Sequence, residues 1–178
     1  MSLVTPLRKA AAVTALDWDA LYTDHVARLY NFFRYRVGDT ATAEDLTAAT
    51  FEKAWCKRTQ FRGDPDRFTA WLFTIARNVA NDHFRKSPPL VSLEAAGPLA
   101  SSDLAAEALE QAEEFSRLVA AINRLPGRER DLITLKYGAE LNNRQIARQL
   151  HLSESNVGTI LSRTLHKLRL ALEVHDER

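Results

Sequence analysis

Apolar residues recur along this chain with a helical period, and no run of four to eight residues alternates in the manner of a strand. From Asp17 onward, Trp18, Leu21, Tyr22, His25, Leu29, Phe32, Phe33 and Val37 mark one wide helical face, and Gly38 is positioned to stop the helix. Thr42 and Asp45 have the spacing of a capping box, which predicts a second helix with Leu46, Thr50, Phe51, Ala54 and Trp55 inward and an end near Arg58. A loop from Gln60 to Asp66, containing Gly63 and Pro65, leads into a third helix whose Phe68, Trp71, Leu72, Ile75, Val79 and Phe84 face the core. Three such helices rich in large aromatic residues predict a helical bundle. Ser87-Pro88-Pro89 ends it, because consecutive prolines cannot continue a helix.

A helical pattern resumes from Leu104 to Ile122, with Leu109, Phe115, Leu118, Val119 and Ile122 as its apolar positions, and Leu125-Pro126-Gly127 breaks it. Arg128 to Tyr137 forms the next predicted helix, packing Leu132, Ile133 and Leu135 or Tyr137. Leu141 to Leu172 then reads as two helices joined by a tight turn, the layout of a helix-turn-helix DNA reader. Asn142 and Gln145 can form a capping box for the first, with Ile146, Ala147 and Leu150 on its apolar face, and His151-Leu152 ends it. Ser153 can cap the second, in which Val157, Ile160, Leu161, Leu165, Leu168 and Leu172 recur at helical spacing. An ordinary amphipathic hairpin with a solvated basic face has the same periodicity, so this segment alone does not decide its use. The expected fold is all-α: a mobile tail (1–15), a helical bundle (16–86), a flexible acidic linker (87–113) and a helix-turn-helix domain (114–174).

Composition adds a division of charge. The 178 residues, 46% hydrophobic and 26% charged, suffice for one domain or two small ones. The net charge of +1 hides 13 Lys or Arg against 10 Asp or Glu in residues 1–86, none against 5 in 87–113, and 11 against 8 in 114–178, hence +3, −5 and +3. Two weakly basic helical blocks suit two contacts with a polyanion, and an acidic tether avoids that polyanion or replaces it elsewhere. The single cysteine, Cys56, excludes an internal disulfide and fits a reducing, cytoplasmic setting; no signal peptide or membrane span is evident. His25, His83, His151, His166 and His175 lack metal-ligand spacing, and no glycine-rich phosphate loop or nucleophile elbow occurs, so neither enzyme activity, metal nor cofactor is expected.

Two ordered sets of motifs resemble the bacterial sigma factors of the extracytoplasmic-function group. The first half carries GDTATAEDLTAATFEKAW, then FRG, then AWLFTIARNVANDHFRK; the second carries LPGRERDLITLKY followed by the helix-turn-helix. Together they cover most of residues 18–172. The resemblance implies that the first domain, region 2, docks on the β′ clamp helices of core RNA polymerase and opens the minus-ten promoter element. It implies that region 4 binds the β flap and reads the minus-thirty-five element, while the linker threads toward the active site and RNA exit channel. An anti-sigma protein that buries both polymerase-binding faces is common in such families, and no membrane insertion is implied.

Residue by residue, the resemblance assigns Glu44, Asp45 and Leu46 to polymerase docking, with Phe51 and Trp55 in the core. Asn78 matches the asparagine that helps hold a flipped minus-ten base, in a pocket completed by Phe61, Arg62 and Gly63. Asp82 and Arg85 match a further family pattern, although their spacing also fits a surface ion pair, and Arg77, Arg85 and Lys86 are the phosphate-contact candidates. In the reader helix the resemblance assigns Gly158, Thr159, Ser162 and Arg163, and the helical pattern leaves Asn156, His166 and Lys167 beside them as further polar candidates for DNA contact. The chain departs from the family at Ala48, where Gln is common, at His151, where Gly is typical, and at Gly158 and Ile160, where basic residues are frequent. Glycine within a helix costs about 1 kcal/mol relative to alanine, which suggests close backbone approach or tolerated weakness at Gly158. A helix-turn-helix repressor or activator that never docks on polymerase is the competing reading, and it leaves the first set of motifs as coincidence.

Overall fold

A computed structural model of the chain describes residues 17–63, 65–86 and 103–176. Its helices are α1 (Trp18–Val37), α2 (Thr40–Cys56), α3 (Pro65–Lys86), α4 (Asp103–Asn123), α5 (Gly127–Ile133), α6 (Asn143–Leu150) and α7 (Glu154–Asp176). A 3-10 turn, Arg58–Gln60, follows α2, and a π-helical segment, Thr134–Gly138, follows α5. No strand occurs among the described residues. The expected tail and residues 87–102 of the expected linker lie outside them.

Asp17 caps α1 by accepting the Ala20 N–H at 3.1 Å, and Gly38, at φ 80°, closes it by donating its N–H to the Arg34 carbonyl at 2.9 Å. The start of α2 differs from the expected one: Asp39, extended at φ −90°, is the cap and accepts the Thr42 N–H at 2.6 Å. Asp39 directly follows the glycine turn and so already offers the acceptor, leaving Thr42 inside the first turn. Hydrogen bonds from the Thr42 side chain and backbone hold the Asp39 carboxyl below its ordinary pKa.

The first core forms where α1, α2 and α3 meet, around the fully buried Leu29, Phe32, Phe33, Phe68, Leu72 and Phe73. Phe32 lies edge-on to Phe33 and Phe73, at 5.2 and 5.8 Å between centroids. Trp55 and Tyr22, expected inside, are 49% and 51% exposed. The neighbouring helices cover the strip of α2 that holds Leu46, Thr50 and Ala54, and Trp55 stands at its margin, edge-on to Trp18 at 5.4 Å and under the Arg58 guanidinium at 4.2 Å.

His25 is buried with both ring nitrogens engaged. Its Nδ1–H donates to the Leu21 carbonyl at 2.9 Å, and Nε2 accepts from the Thr69 hydroxyl at 2.8 Å. Burial pushes its pKa below the ordinary value, so the unfolded chain takes up the proton more readily. The stability associated with neutral His25 is therefore complete above the unfolded value of about 6.5 and declines as the pH falls from there toward the lower folded pKa. Thermal melts at pH 7.5 and at about pH 5.5 should show a loss of stability that His25→Gln reduces. An equal loss in both proteins would place the titration elsewhere.

The helix expected over Arg128 to Tyr137 runs without a break, but from Thr134 it widens into the π-helical segment. Ala139 donates its N–H to the Thr134 carbonyl at 3.0 Å, and Leu141 donates to Leu135 at 3.0 Å. This turn lays Gly138 against α1, where a Cβ would fall 2.9 Å from the Phe32 Cα and 3.0 Å from the Asn31 carbonyl oxygen, so only glycine fits. Leu132, Ile133 and Leu135 are buried, whereas Tyr137 is exposed.

Helices α6 and α7 follow the sequence closely. Asn142 Oδ1 accepts from Gln145 N–H at 2.9 Å, while Gln145 Oε1 accepts from Asn142 N–H at 3.0 Å, completing the capping box. His151 adopts the left-handed conformation at φ 54°, the role expected of the turn position, and Ser153 Oγ accepts the Asn156 N–H at 3.2 Å. Val157, Leu161 and Leu168 are buried; Leu165 is turned out, and Thr164 takes an inner position while its hydroxyl donates to the Ile160 carbonyl at 2.8 Å.

The two halves do not form separate cores. One contiguous cluster runs from Leu21 through Phe73 to Ile122, Leu135, Ile146 and Leu168. Helix α1 is its hub: Val119 of α4 covers Gly38, Phe115 meets Tyr35 at 5.6 Å between centroids, and the π-helical segment lies along Phe32. Residues 103–113, placed in the expected linker, are the first part of α4.

Candidate polymerase and promoter interface

Helix α2 carries an outward strip of Asp45, Ala48, Glu52 and Trp55, spaced three and four residues apart, with Glu44 beside it. All five are exposed. Leu46, assigned to docking by the resemblance, is buried in the bundle core and cannot reach a partner directly. Trp55 is the surface residue that the apolar pattern hid: an aromatic ring at a helix margin has the same period as a core residue.

On α3, Asn78, Asp82 and Arg85 lie at i, i+4 and i+7 on one strip, and Lys86 follows. Asn78 is exposed, and Arg85 donates to Asp82 at 3.0 Å, a pair that its solvent exposure makes weak. Phe61 does not offer a free ring. It is buried, 5.8 Å from Phe68 and 5.1 Å from Trp71 between centroids, and a Cβ on Gly63 would come within 2.8 Å of its Cζ. Phe61 and Gly63 thus shape the loop, while the exposed Arg62 stands on it. The partly exposed aromatic on the Asn78 strip is Trp71, seven residues earlier, a position that the sequence pattern assigned to the core.

Arg77 is not free for a phosphate in this conformation. Its Nε and Nη2 donate to Asp131 Oδ2 at 3.0 and 2.7 Å, and Nη1 lies 3.5 Å from the Gln149 carbonyl oxygen. The same carboxylate accepts from Arg36 through Oδ1. Burial lowers the Arg36 pKa, and Asp131 opposes that shift. Nothing in the pattern distinguished Arg36 or Asp131 from surface charges, because their partners are 95 and 54 residues apart. Beside this seam is a cleft of about 570 Å³, lined among others by Trp71, Thr74, Arg77, Arg128, Arg148 and His151.

On α7, Asn156, Thr159, Ser162, Arg163, His166 and Lys167 are all exposed, and Gly158 is half-buried. A Cβ at Gly158 would meet only Asn143 Nδ2, at 3.8 Å, so no close approach within the chain requires glycine there. Lys167 is held by Glu129, at 2.7 and 2.9 Å from its two oxygens. Among the described residues no group of three or more His, Cys, Asp or Glu could hold a metal ion, and no helix is long and apolar enough to cross a membrane.

A helical bundle with an exposed acidic and aromatic strip, packed on a helix-turn-helix whose second helix is free along one polar face, defines a DNA-reading transcription protein. Residues 21–87 match the family described as Sigma-70 region 2, and residues 115–168 match Sigma-70, region 4. The chain is 31% identical over 167 residues to the ECF RNA polymerase sigma factor SigL of Mycobacterium tuberculosis, covering 92% of this chain and 93% of SigL. It is 35% identical over 153 residues to the ECF sigma factor RpoE of Cereibacter sphaeroides, covering 84% and 79%. With BldN of Streptomyces coelicolor it shares 30% identity over 165 residues, which span 62% of BldN. The fold resembles that of the sigma factor RpoE from Bartonella quintana, solved with the anti-sigma factor NepR, at a TM-score of 0.62 and 24% identity over 89% of this chain and 98% of that one. The chain belongs to the extracytoplasmic-function group of the sigma-70 family. It is a sigma factor, which directs RNA polymerase to promoters.

Proposed function

We propose that this sigma factor docks on the β′ clamp helices of core polymerase through the α2 strip around Glu44 and Asp45, opens the minus-ten element with the Asn78 strip of α3, and reads the minus-thirty-five element with α7. The observation that supports this most is that three strips at family positions, on α2, α3 and α7, face outward, while Leu46, Thr50 and Ala54 of α2, Val79 and Ala80 of α3, and Val157, Leu161 and Leu168 of α7 face the core. Region 4 would also meet the β flap. The role is regulatory rather than catalytic and belongs in the cytoplasm, where the polymerase works. An anti-sigma partner is part of this reading, since two fold neighbours, RpoE of Bartonella quintana and CnrH, were solved with NepR and with the cytosolic domain of CnrY. Run-off transcription with purified core polymerase tests the whole proposal.

Two substitutions test its parts. Asn78→Ala should slow open-complex formation more than closed-complex formation, because a flipped-base contact exists only after the strands separate. A template with a pre-melted minus-ten bubble should recover most of the lost activity; no recovery would assign Asn78 to an earlier step. Arg163→Ala should weaken recognition upstream, since Arg163 lies one turn beyond Thr159 on the exposed face of α7. A guanine contact predicts a loss of about 1–3 kcal/mol confined to one base pair, and a phosphate contact predicts a uniform loss with the salt slope reduced by about one. Identical profiles on single-base promoter variants would remove α7 as the reader.

A further inference from the structure

We propose that Asp131 is an internal stand-in for promoter phosphate: it holds the helix-turn-helix half closed over a two-arginine site, Arg36 and Arg77, that grips the DNA backbone once the halves separate. This rests on the reading of α3 as the minus-ten helix. Asp131, at the start of the second half, is buried between the two guanidinium groups, Arg36 on Oδ1 and Arg77 on Oδ2. Arg36 Nη2 also donates to Asn81 Oδ1 at 3.2 Å, so both cations are aimed from α1 and α3 at one point. Two planar forks around a single anion form the arrangement that binds a phosphate oxyanion.

The carboxylate is an incomplete match for that site. Arg36 Nε is buried without a hydrogen-bond partner among the described residues, as is Gln149 Oε1 across the same seam. Arg128, Arg130 and Arg148 add further positive charge around it. A phosphate brings more acceptor oxygens and more negative charge than Asp131 offers. The seam is also one that must open. Elements centred near minus ten and minus thirty-five lie about 85 Å apart along B-DNA, at about 3.4 Å per base pair. A compact chain of this length has a radius of gyration of only about 16 Å. Separation uncovers Arg36 and Arg77 together, next to the Asn78 strip, so opening and backbone binding are thermodynamically coupled.

The test uses the full chain with dyes on Cys56 of α2 and on a cysteine introduced by Glu173→Cys near the end of α7. Asp131→Asn should lower energy transfer while the protein keeps a cooperative melt. It should also bind a fluorescent mixed-sequence single-stranded DNA more tightly than the wild type. The added contacts should steepen the plot of log affinity against log salt by about 1.4, the value for two phosphates on a single strand. Adding Arg36→Ala and Arg77→Ala should cancel that increment, which a purely structural role for Asp131 would not produce. A second variant, Thr74→Cys with Gln149→Cys and Cys56→Ser, places two thiols on facing sides of the seam, where the Gln149 amide now reaches the Thr74 hydroxyl at 3.2 Å, and a bismaleimide with an internal disulfide bridges the remaining gap. The cross-linked form should fail to initiate with core polymerase and recover when the linker is reduced.

Unchanged transfer in Asp131→Asn, an open protein with an unaltered salt slope, or a clamped protein that initiates as well as its reduced form would each overturn the proposal. Polymerase-dependent initiation by the wild type is measured separately, so failure of the sigma reading gives a different result from failure of the latch.

Discussion

Asp45→Arg is expected to abolish retention of core polymerase and, with it, all promoter-directed transcription, while leaving the melting temperature nearly unchanged. The carboxylate stands exposed on α2, in line with Ala48, Glu52 and Trp55, so the substitution reverses charge on a free face and empties no core. A long cation aimed at a partner surface that is complementary to an acid introduces like-charge repulsion as well as losing an attraction, which is why reversal exceeds truncation in effect. Asp45→Ala should therefore weaken docking by less than Asp45→Arg. Pull-down with core polymerase, alongside a thermal melt of each variant, gives the answer. Full retention of polymerase by Asp45→Arg would remove this strip from the interface. The neighbouring Trp55, 49% exposed, would be the apolar anchor of the same proposed surface.

The largest effect on stability is expected from Phe32→Ala. Phe32 is fully buried, edge-on to Phe33 and Phe73, and its backbone is the floor on which Gly138 rests. Truncating a buried phenylalanine costs about 3–5 kcal/mol, a large share of the roughly 5–15 kcal/mol that stabilises a domain. For a chain of this size that corresponds to a fall in melting temperature of roughly 6–20 °C. Because Phe32 belongs to the one cluster that joins both halves, the whole transition should shift as a unit. Calorimetry showing two transitions, with the later one unmoved, would mean that the halves unfold independently.

Helices with strong local signals were legible in the sequence. The capping box of Asn142 and Gln145, the glycine stop at Gly38 and the left-handed His151 each depend on residues within a few positions of one another, so spacing alone carries them. Features set by distant partners were not. Trp55 and Tyr22 share the helical period of the core, and only the placement of neighbouring helices leaves them outside. Phe61 looked like a ring for stacking on a base because its loop was visible, while its burial beneath Gly63 was not. The π-helical widening that brings Gly138 onto α1, and the carboxylate of Asp131 shared by Arg36 and Arg77, join segments that the charge pattern had assigned to separate domains. Motif order identified the family; it did not reveal that the two halves close on one another.

The central claim, that this chain confers promoter choice on RNA polymerase, is tested most directly by run-off transcription from a genomic fragment library. Reactions would contain purified core polymerase, the protein, or both. Discrete transcripts whose upstream sequences share a minus-ten and a minus-thirty-five element should arise only when both are present, and the protein alone should show little affinity for the same fragments. Sequence-specific binding by the protein alone, with no change in the transcripts made by core polymerase, would contradict the account.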